Sequence, residues 1–375
     1  MCAKSPGLRD RIAAEIAARG PLTFARFMEL ALYHPQLGYY ASGRAKIGRS
    51  GDFYTNVSVG PVFGRILAGQ FRAMWHHLGK PAGFCLVEQG ANDGQLAEDV
   101  LAALPDIPLQ YWIVEPSAPL RERQQEKLRA RAGRVHWADR LDALPVFDGV
   151  HFSNELVDAL PFHLVQSNGE TWEELFVESR AGAFAFAPAP PTAELQDALR
   201  NFPARPAGTI AELRPAVLPW LDDLSRKLRA GFVLIVDYGF PREALLAPHR
   251  REGTFSCYHA HRRDALPLLN PGDKDITAHV DFTALAQAAQ NAGWRGEGFT
   301  DQHHFLVGAS EDLLRSLDGP PDPETQKTLR ALQSLLHPES MGTQFHYLAL
   351  SKNIRAGCPL SGFRYARPMA AALGG

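Results

Sequence analysis

Apolar residues recur at Leu8, Ile12 and Ile16 with charged residues between them, the spacing of one helix face over Leu8–Ala18. Thr23–Leu32 predicts a second helix with Thr23 as its N-cap, and Val62–Leu78 a third. Between them, Tyr33–Pro61 is rich in Gly, Tyr and Ser and has little period; an unpatterned stretch of that length in a compact chain serves a function or covers something. From Phe84 the texture changes. Short apolar runs at Phe84–Glu88, Gln110–Glu115, Val135–Ala138, Gly149–Asn154 and Phe232–Asp237 read as buried strands. Leu96–Leu104 and Pro119–Ala130 read as helices between them, and Leu156–Leu160 as a helical turn. His304–Val307 and Phe345–Ser351 predict two more strands.

Continuous apolar strands alternating with helices imply an α/β fold whose mostly parallel sheet is covered on both faces. The alternation is interrupted once. Leu164–Gln166 and Leu175–Glu178 predict a hairpin around the turn dipeptide Asn168-Gly169, Ala185–Pro191 an exposed link, and Pro215–Leu228 a helix. The expected organisation is an N-terminal helical cover and lid over residues 1–80, a core built from 81–162 and 230–355, an insertion over 163–229 forming a substrate-side subdomain, and a tail over 356–375.

Composition narrows the class. Of 375 residues 45% are hydrophobic and 21% charged, which excludes a disordered or fibrous chain. Lys plus Arg number 39 against 41 Asp plus Glu, a net charge of −2, so no cationic field favours a nucleic-acid partner. No apolar run approaches the roughly 18 residues of a membrane span, so no membrane partner is expected. The four cysteines (Cys2, Cys85, Cys257 and Cys358) form no C-x-x-C pair, which leaves no zinc knuckle and no expected metal. That low density fits a reducing compartment. Met1–Gly20 lacks the apolar core of a signal peptide and carries Asp10 and Glu15, so a cytoplasmic location is expected.

The segment with the most chemistry is Val87-Glu88-Gln89-Gly90-Ala91-Asn92-Asp93-Gly94-Gln95-Leu96, which leaves a predicted strand and opens a predicted helix. Gly90 and Gly94 permit a tight turn and close approach of a ligand, and the helix N-terminus offers unpaired N–H groups. Glu115 ends the next strand, where a carboxylate can accept both hydroxyls of a ribose. Asn92 breaks the G-x-G-x-x-G pattern, which disfavours a dinucleotide and hence a dehydrogenase. S-adenosylmethionine, adenosine joined to a zwitterionic amino-acid tail, fits such a site. Asp139 follows the third strand and Asn154-Glu155 ends the fourth, so Gly90, Glu115, Asp139 and Asn154 mark consecutive strand ends, where ligands bind in open α/β sheets.

These residues also carry a resemblance. Asn154-Glu155-Leu156-Val157-Asp158-Ala159-Leu160-Pro161 is similar to an N-E-x-x-D-A-L-P signature, and Gly51-Asp52-Phe53-Tyr54-Thr55 with Phe63-Gly64 to a G-D-F-x-T … F-G segment. Tyr33-His34-Pro35 through Gly38-Tyr39-Tyr40, Val114-Glu115-Pro116-Ser117, Val236-Asp237-Tyr238-Gly239, Asp275–Phe282 and Met341-Gly342 with Phe345 match further strings. The chain resembles the MidA-like class I methyltransferases over about Pro21–Lys352. The resemblance implies a seven-stranded class I fold with S-adenosylmethionine as methyl donor. The expected donor contacts are Gly51, Asp52, Phe53, Thr55, Glu88, Gly90, Asn92, Asp93, Gly94, Glu115, Pro116, Ser117, Asp139 and Asn154. Where the family string E-I-G-x-G-x-G carries Gly, this chain has Asn92.

For catalysis, Glu155 is the first candidate to hold or deprotonate an acceptor, or else it caps the following turn. Asp158, Tyr238 and His279 follow it, each with a structural alternative: a helix-surface acid, a core tyrosine, or a segment capped by Asp281 or Thr277. The expected reaction is methyl transfer to a protein arginine nitrogen, as in the mitochondrial member of the family. A small-molecule O- or N-methyltransferase and a non-catalytic assembly factor are the alternatives. The partner is a protein or small-molecule methyl acceptor, and a homodimer is allowed.

Overall fold

The computed structural model describes residues 7–40, 56–200, 202–259, 262–317, 322–337, 341–355, 357 and 359–374. In chain order the main elements are α1 (Leu8–Arg19), α2 (Phe24–Tyr33), α3 (Val62–His77), β1 (Phe84–Gln89), α4 (Gln95–Ala103), β2 (Leu109–Val114), α5 (Ala118–Lys127), β3 (Val135–Ala138) and β4 (Phe147–Asn154). There follow β5 (His163–Ser167), β6 (Trp172–Arg180), β7 (Ala183–Ala189), β8 (Ile210–Leu213), α6 (Val217–Lys227), β9 (Leu228–Phe240), α7 (Phe282–Asn291), β10 (Arg295–Asp301), α8 (Gln302–Ala309), α9 (Pro323–Leu336) and β11 (Phe345–Lys352). They form two compact units, one drawn from Met1–Phe53, Asp158–Val217 and Glu243–His279, the other from Tyr54–Val157, Leu218–Arg242 and Val280–Gly375.

The larger unit is built on a sheet with the order β10-β11-β9-β4-β1-β2-β3, and Val280–Asp281 adds a short pairing to β9. Strands β3, β2, β1, β4 and β9 run parallel, whereas β11 is antiparallel to both its neighbours. This is the seven-stranded class I arrangement that the resemblance implies. On one face Phe84, Leu86, Tyr111, Ile113, Val150, Phe152, Leu234 and Tyr347 pack with Phe63, Leu67 and Phe71 of α3 and Val100 of α4. On the other, Trp220 of α6 donates to Gln89 and meets the ring of His151.

The sheet unit differs from the sequence reading in two elements. His304–Val307 is not a strand but part of α8, because Asp301 caps that helix by accepting from the His304 N–H at 2.9 Å, and Phe305, Leu306 and Ala309 share its buried side. The strand lies just before it, in β10, where Gly296 and Gly298 dilute the apolar pattern. Leu156–Leu160 forms no helix: Glu155 sits at φ +56°, and the N–H groups of Leu156 and Val157 both donate to Asp237.

The smaller unit carries an antiparallel sheet in which β6 pairs with β5, β7 and Leu22–Thr23, and β8 extends β5. The hairpin around Asn168-Gly169 is present, with Ser167 opposite Trp172. The expected link over Ala185–Pro191 is instead largely strand β7. Its Phe184 and Phe186 alternate inward against Phe27 and Phe24, a period of two hidden by the Ala and Pro between them. Leu8, Ile12 and Ile16 of α1 share this core with Phe24, Phe27 and Met28 of α2, Val177, Cys257 and Ile276. Hence residues 243–279 join this unit rather than the sheet, and α3 joins the sheet rather than the first two helices, since in each case the apolar face finds its partners there. Helix α6 likewise belongs with the sheet.

Arg214 ties the smaller unit together. Its guanidinium donates to the carbonyls of Leu160 at 3.2 Å, Asp158 at 3.1 Å and Ala278 at 3.0 Å, and lies over the Phe162 ring. Arg214 reaches these carbonyls from two separate nitrogens of a planar fork, a spread that the single nitrogen of an ammonium cannot reproduce, so Arg214→Lys should cost about 2–3 kcal/mol in urea denaturation. A loss below about 0.5 kcal/mol, the usual range for an unimportant surface change, would show the fork to be dispensable.

Glu88 is buried in the sheet, where its Oε2 accepts from the Tyr111 hydroxyl at 2.7 Å, and burial pushes its carboxyl up to about 7. The folded chain therefore holds this proton between about pH 4.5 and 7 while the unfolded chain releases it, so the stability it contributes at low pH is lost as pH rises through 7. Glu88→Gln should gain on the natural protein by on the order of 2–3 kcal/mol at pH 8 and show little difference at pH 4.5. Equal stability differences at both values would contradict the buried-acid assignment.

Candidate functional site

The loop after β1 is built from left-handed residues. Gly90 lies at φ +83°, Asn92 at +46° and Gly94 at +82°, and the Gly94 N–H closes the turn on the Ala91 carbonyl at 2.8 Å. Asparagine is among the few non-glycine residues that adopt this region readily, so Asn92 preserves the backbone conformation where the family string has glycine. Asp93 accepts from the Gln95 N–H at 3.1 Å in the first turn of α4, and its other oxygen pairs with Lys127. Helix starts carry first-turn N–H groups without intrahelical partners, which can receive a ligand.

Glu115 directly follows β2 and is buried, which raises its carboxyl above the usual range. The Ser117 N–H donates to its Oε1 at 2.9 Å and the Gln124 amide to its Oε2 at 3.3 Å. That same amide donates to the Asn92 carbonyl at 2.7 Å, and its oxygen accepts from the Trp137 indole at 3.0 Å. The sequence reading did not single out Gln124. The only available signal was its i+9 position from Glu115 on the helix after the acid.

At the end of β4, the Asn154 amide nitrogen donates to Glu155 Oε1 at 3.0 Å, while Asn154 Oδ1 is buried without a partner among the described residues. Glu155 is held at φ +56° by its N–H, which donates to the Val236 carbonyl at 2.9 Å, and by the Asp237 carboxylate beneath the next two residues. Asp237 is fully buried and also accepts from the Tyr238 N–H at 2.9 Å. In the sequence Asp237 stands out only as part of the string Val236-Asp237-Tyr238-Gly239. The Tyr238 ring packs on Phe345 at 4.0 Å.

Gly90, Glu115, Asp139 and Asn154 do occupy the carboxyl ends of four neighbouring strands, since β3, β2, β1 and β4 are adjacent and parallel. Asp139 and Pro116 are exposed, and Ser117 begins α5 without a side-chain cap. Asp158 and His279 belong to the smaller unit, whereas Glu155 and Tyr238 belong to the sheet unit. Asp158 is buried, and desolvation against the opposing Arg214 charge pushes it up to about 6. The His279 N–H donates to the Thr254 hydroxyl at 3.1 Å, and Asp281 caps α7. Two of the matched strings meet in the smaller unit, where the Tyr40 hydroxyl donates to Asp275 at 2.8 Å. Gly51, Asp52, Phe53 and Thr55 lie outside the described residues. No group of His, Cys, Asp and Glu among the described residues could hold a metal ion, and no described helix is long and apolar enough to cross a membrane.

The donor set fits S-adenosylmethionine: a carboxylate with lone pairs to spare, a left-handed loop leading into a helix N-terminus, and an orphaned buried amide oxygen suited to an ammonium. Comparison with known proteins agrees. Residues 66–300 match the family described as "Putative S-adenosyl-L-methionine-dependent methyltransferase". The human protein arginine methyltransferase NDUFAF7, mitochondrial, is 30% identical, covering 94% of this chain and 84% of its own; the homolog from Drosophila melanogaster is 28% identical, covering 93% and 86%. A Burkholderia thailandensis protein crystallised with S-adenosyl-homocysteine superposes with a TM-score of 0.87 at 34% identity, covering 97% of this chain and 96% of its own. The expected cytoplasmic location is corrected by the curated relatives, which are named as mitochondrial; the reading from the N-terminal residues does not stand against them. The strand-end site, the family match and the relatives together place the chain in the MidA-like family of S-adenosyl-L-methionine-dependent methyltransferases, an enzyme whose cofactor is S-adenosyl-L-methionine.

Proposed function

We propose that the methyl acceptor is a protein arginine and that Glu155 receives its guanidinium. The carrying observation is the Glu155 backbone at φ +56°, a conformation that costs a non-glycine residue about 1–3 kcal/mol and persists only where the surroundings enforce it. Asp237 and the Val236 carbonyl supply that enforcement, which places Glu155 at the carboxyl edge of the sheet rather than at a helix cap. A carboxylate is the natural bidentate partner of a guanidinium, and the relatives named above are arginine methyltransferases.

On this reading Glu115 takes the donor's ribose hydroxyls, Gly90, Asn92 and Gly94 let the backbone approach its amino-acid end, and Asn154 Oδ1 accepts from its ammonium. Glu88 supports the loop from below, through its bond to Tyr111. Bound there, the donor supplies a sulfonium-activated methyl group. Glu155 orients the acceptor nitrogen for in-line attack and accepts the proton that nitrogen loses. Asp158 and His279 serve their own unit through the turn at 158–160 and the contact with Thr254. The nearly balanced charge of the chain supports a protein or small-molecule acceptor over nucleic acid.

Two measurements test this reading. Gly90→Val introduces a branched side chain at φ +83°, and calorimetry should find S-adenosyl-homocysteine binding abolished while thermal melting shows a folded protein; unchanged affinity would remove Gly90 from the donor site. Glu155→Gln should keep product affinity and lose at least about 100-fold in turnover on arginine-containing protein, the scale of a lost acid-base or charge contact. Full activity would return Glu155 to a structural role.

A further inference from the structure

The geometry points to Gln124 as the positioning residue that makes this site selective for a ribose-bearing donor. The inference rests on the reading of Glu115 as the ribose acceptor and concerns a residue that itself need not touch the ligand. Gln124 is completely buried on α5, and its amide is shared among three segments. Its Nε2 donates to the Asn92 carbonyl at 2.7 Å and to Glu115 Oε2 at 3.3 Å, and its Oε1 accepts from Trp137 Nε1 at 3.0 Å. These partners belong to the glycine loop, the end of β2 and β3.

The choice of an amide matters at this position. Two N–H groups are needed to serve two acceptors at once, and an acceptor oxygen is needed for the indole; among side chains of this length only Gln supplies both. A carboxylate has about four lone-pair positions. The Ser117 N–H and Gln124 occupy one on each oxygen of Glu115, which fixes the carboxylate plane and leaves one position per oxygen. Two positions are what a ribose with adjacent hydroxyls requires. The packing is close as well: a Cβ built on Gly94 would come within 3.5 Å of Gln124 Cγ and 3.2 Å of Leu128 Cδ1. The helix after the acid thus buttresses the loop before it. Burying an amide among these groups is costly unless every bond is made, so its three bonds hold Glu115 and the loop in one mutual arrangement.

The test compares two ligands, S-adenosyl-homocysteine and its 2′-deoxyribose analogue, by titration calorimetry. The natural protein should prefer the hydroxylated ligand about tenfold, the worth of one hydrogen bond to a charged group. Gln124→Met keeps the length and removes the donors. It should melt as a folded protein, bind S-adenosyl-homocysteine about tenfold more weakly, and show a preference of about twofold or less. If the variant binds both ligands more weakly but keeps the full preference, Gln124 only supports packing and the proposal is overturned. Gln124→Glu provides a second readout: it keeps an acceptor for Trp137 but sets a second carboxyl against Glu115. Its preference should be weakened when both carboxyls are ionised and return as pH is lowered and the two come to share a proton; a flat pH response also overturns the proposal. A natural protein that binds product with no preference between the ligands would instead refute Glu115 as the ribose acceptor, and one that binds neither would refute the donor site itself.

Discussion

Parallel pairing is the constraint from which the site follows. Because β3, β2, β1, β4 and β9 run in one direction, their carboxyl ends share one edge, and residues far apart in sequence are delivered there without any pairwise attraction between them. Continuous burial of the strands, as in Val87, Ile113, Val150 and Ile235, keeps this edge rigid. The polar groups at the strand ends then need only short-range hydrogen bonds to be placed: Gln124 for Glu115 and the loop, Asp237 for Glu155.

Two non-glycine residues in the left-handed region flank that edge, and they are stabilised in different ways. Asn92 reaches φ +46° through an intrinsic tolerance of its own side chain, and its carbonyl is held from outside by Gln124. Glu155 has no such tolerance. Its φ of +56° depends on a carboxylate that lies 81 residues later in the chain than Leu156. A buried Asp accepting three backbone N–H groups is a strong local anchor, and it prevents the helix that the sequence around Val157 and Leu160 otherwise favours.

The smaller unit follows a different physical plan. Its antiparallel sheet and the helices α1 and α2 enclose an aromatic core; Asp158 and Asp275 are buried and Arg214 and Tyr40 half-buried, with their hydrogen bonds directed largely at backbone or at each other. Desolvation raises the Asp158 carboxyl, and a single guanidinium opposes it while closing three carbonyls. The strings shared with the MidA-like family are therefore divided by role. Those around Gly90, Glu115 and Asn154 occupy strand ends, and those around Tyr40 and Asp275 meet in the interior of the smaller unit.

The alternation of strands and helices, the glycine turn after β1 and the acid after β2 are legible in the chain without its fold. These depend on local quantities: apolar period, the torsional freedom of Gly and Asn, and the side-chain caps Thr23 and Asp281. The sequence also carried the family through its short strings. What it left undecided involves partners remote in the chain. Strand β7 exists because Phe184 and Phe186 find Phe27 and Phe24; the residues from His304 to Val307 are helical because Phe305 and Leu306 find a core; and α3 sides with the sheet because its buried face meets that core. The backbone conformation of Glu155 and the coupling of Glu115 to the glycine loop likewise depend on Asp237 and Gln124, since a hydrogen bond across the fold leaves no periodic mark in the sequence that makes it.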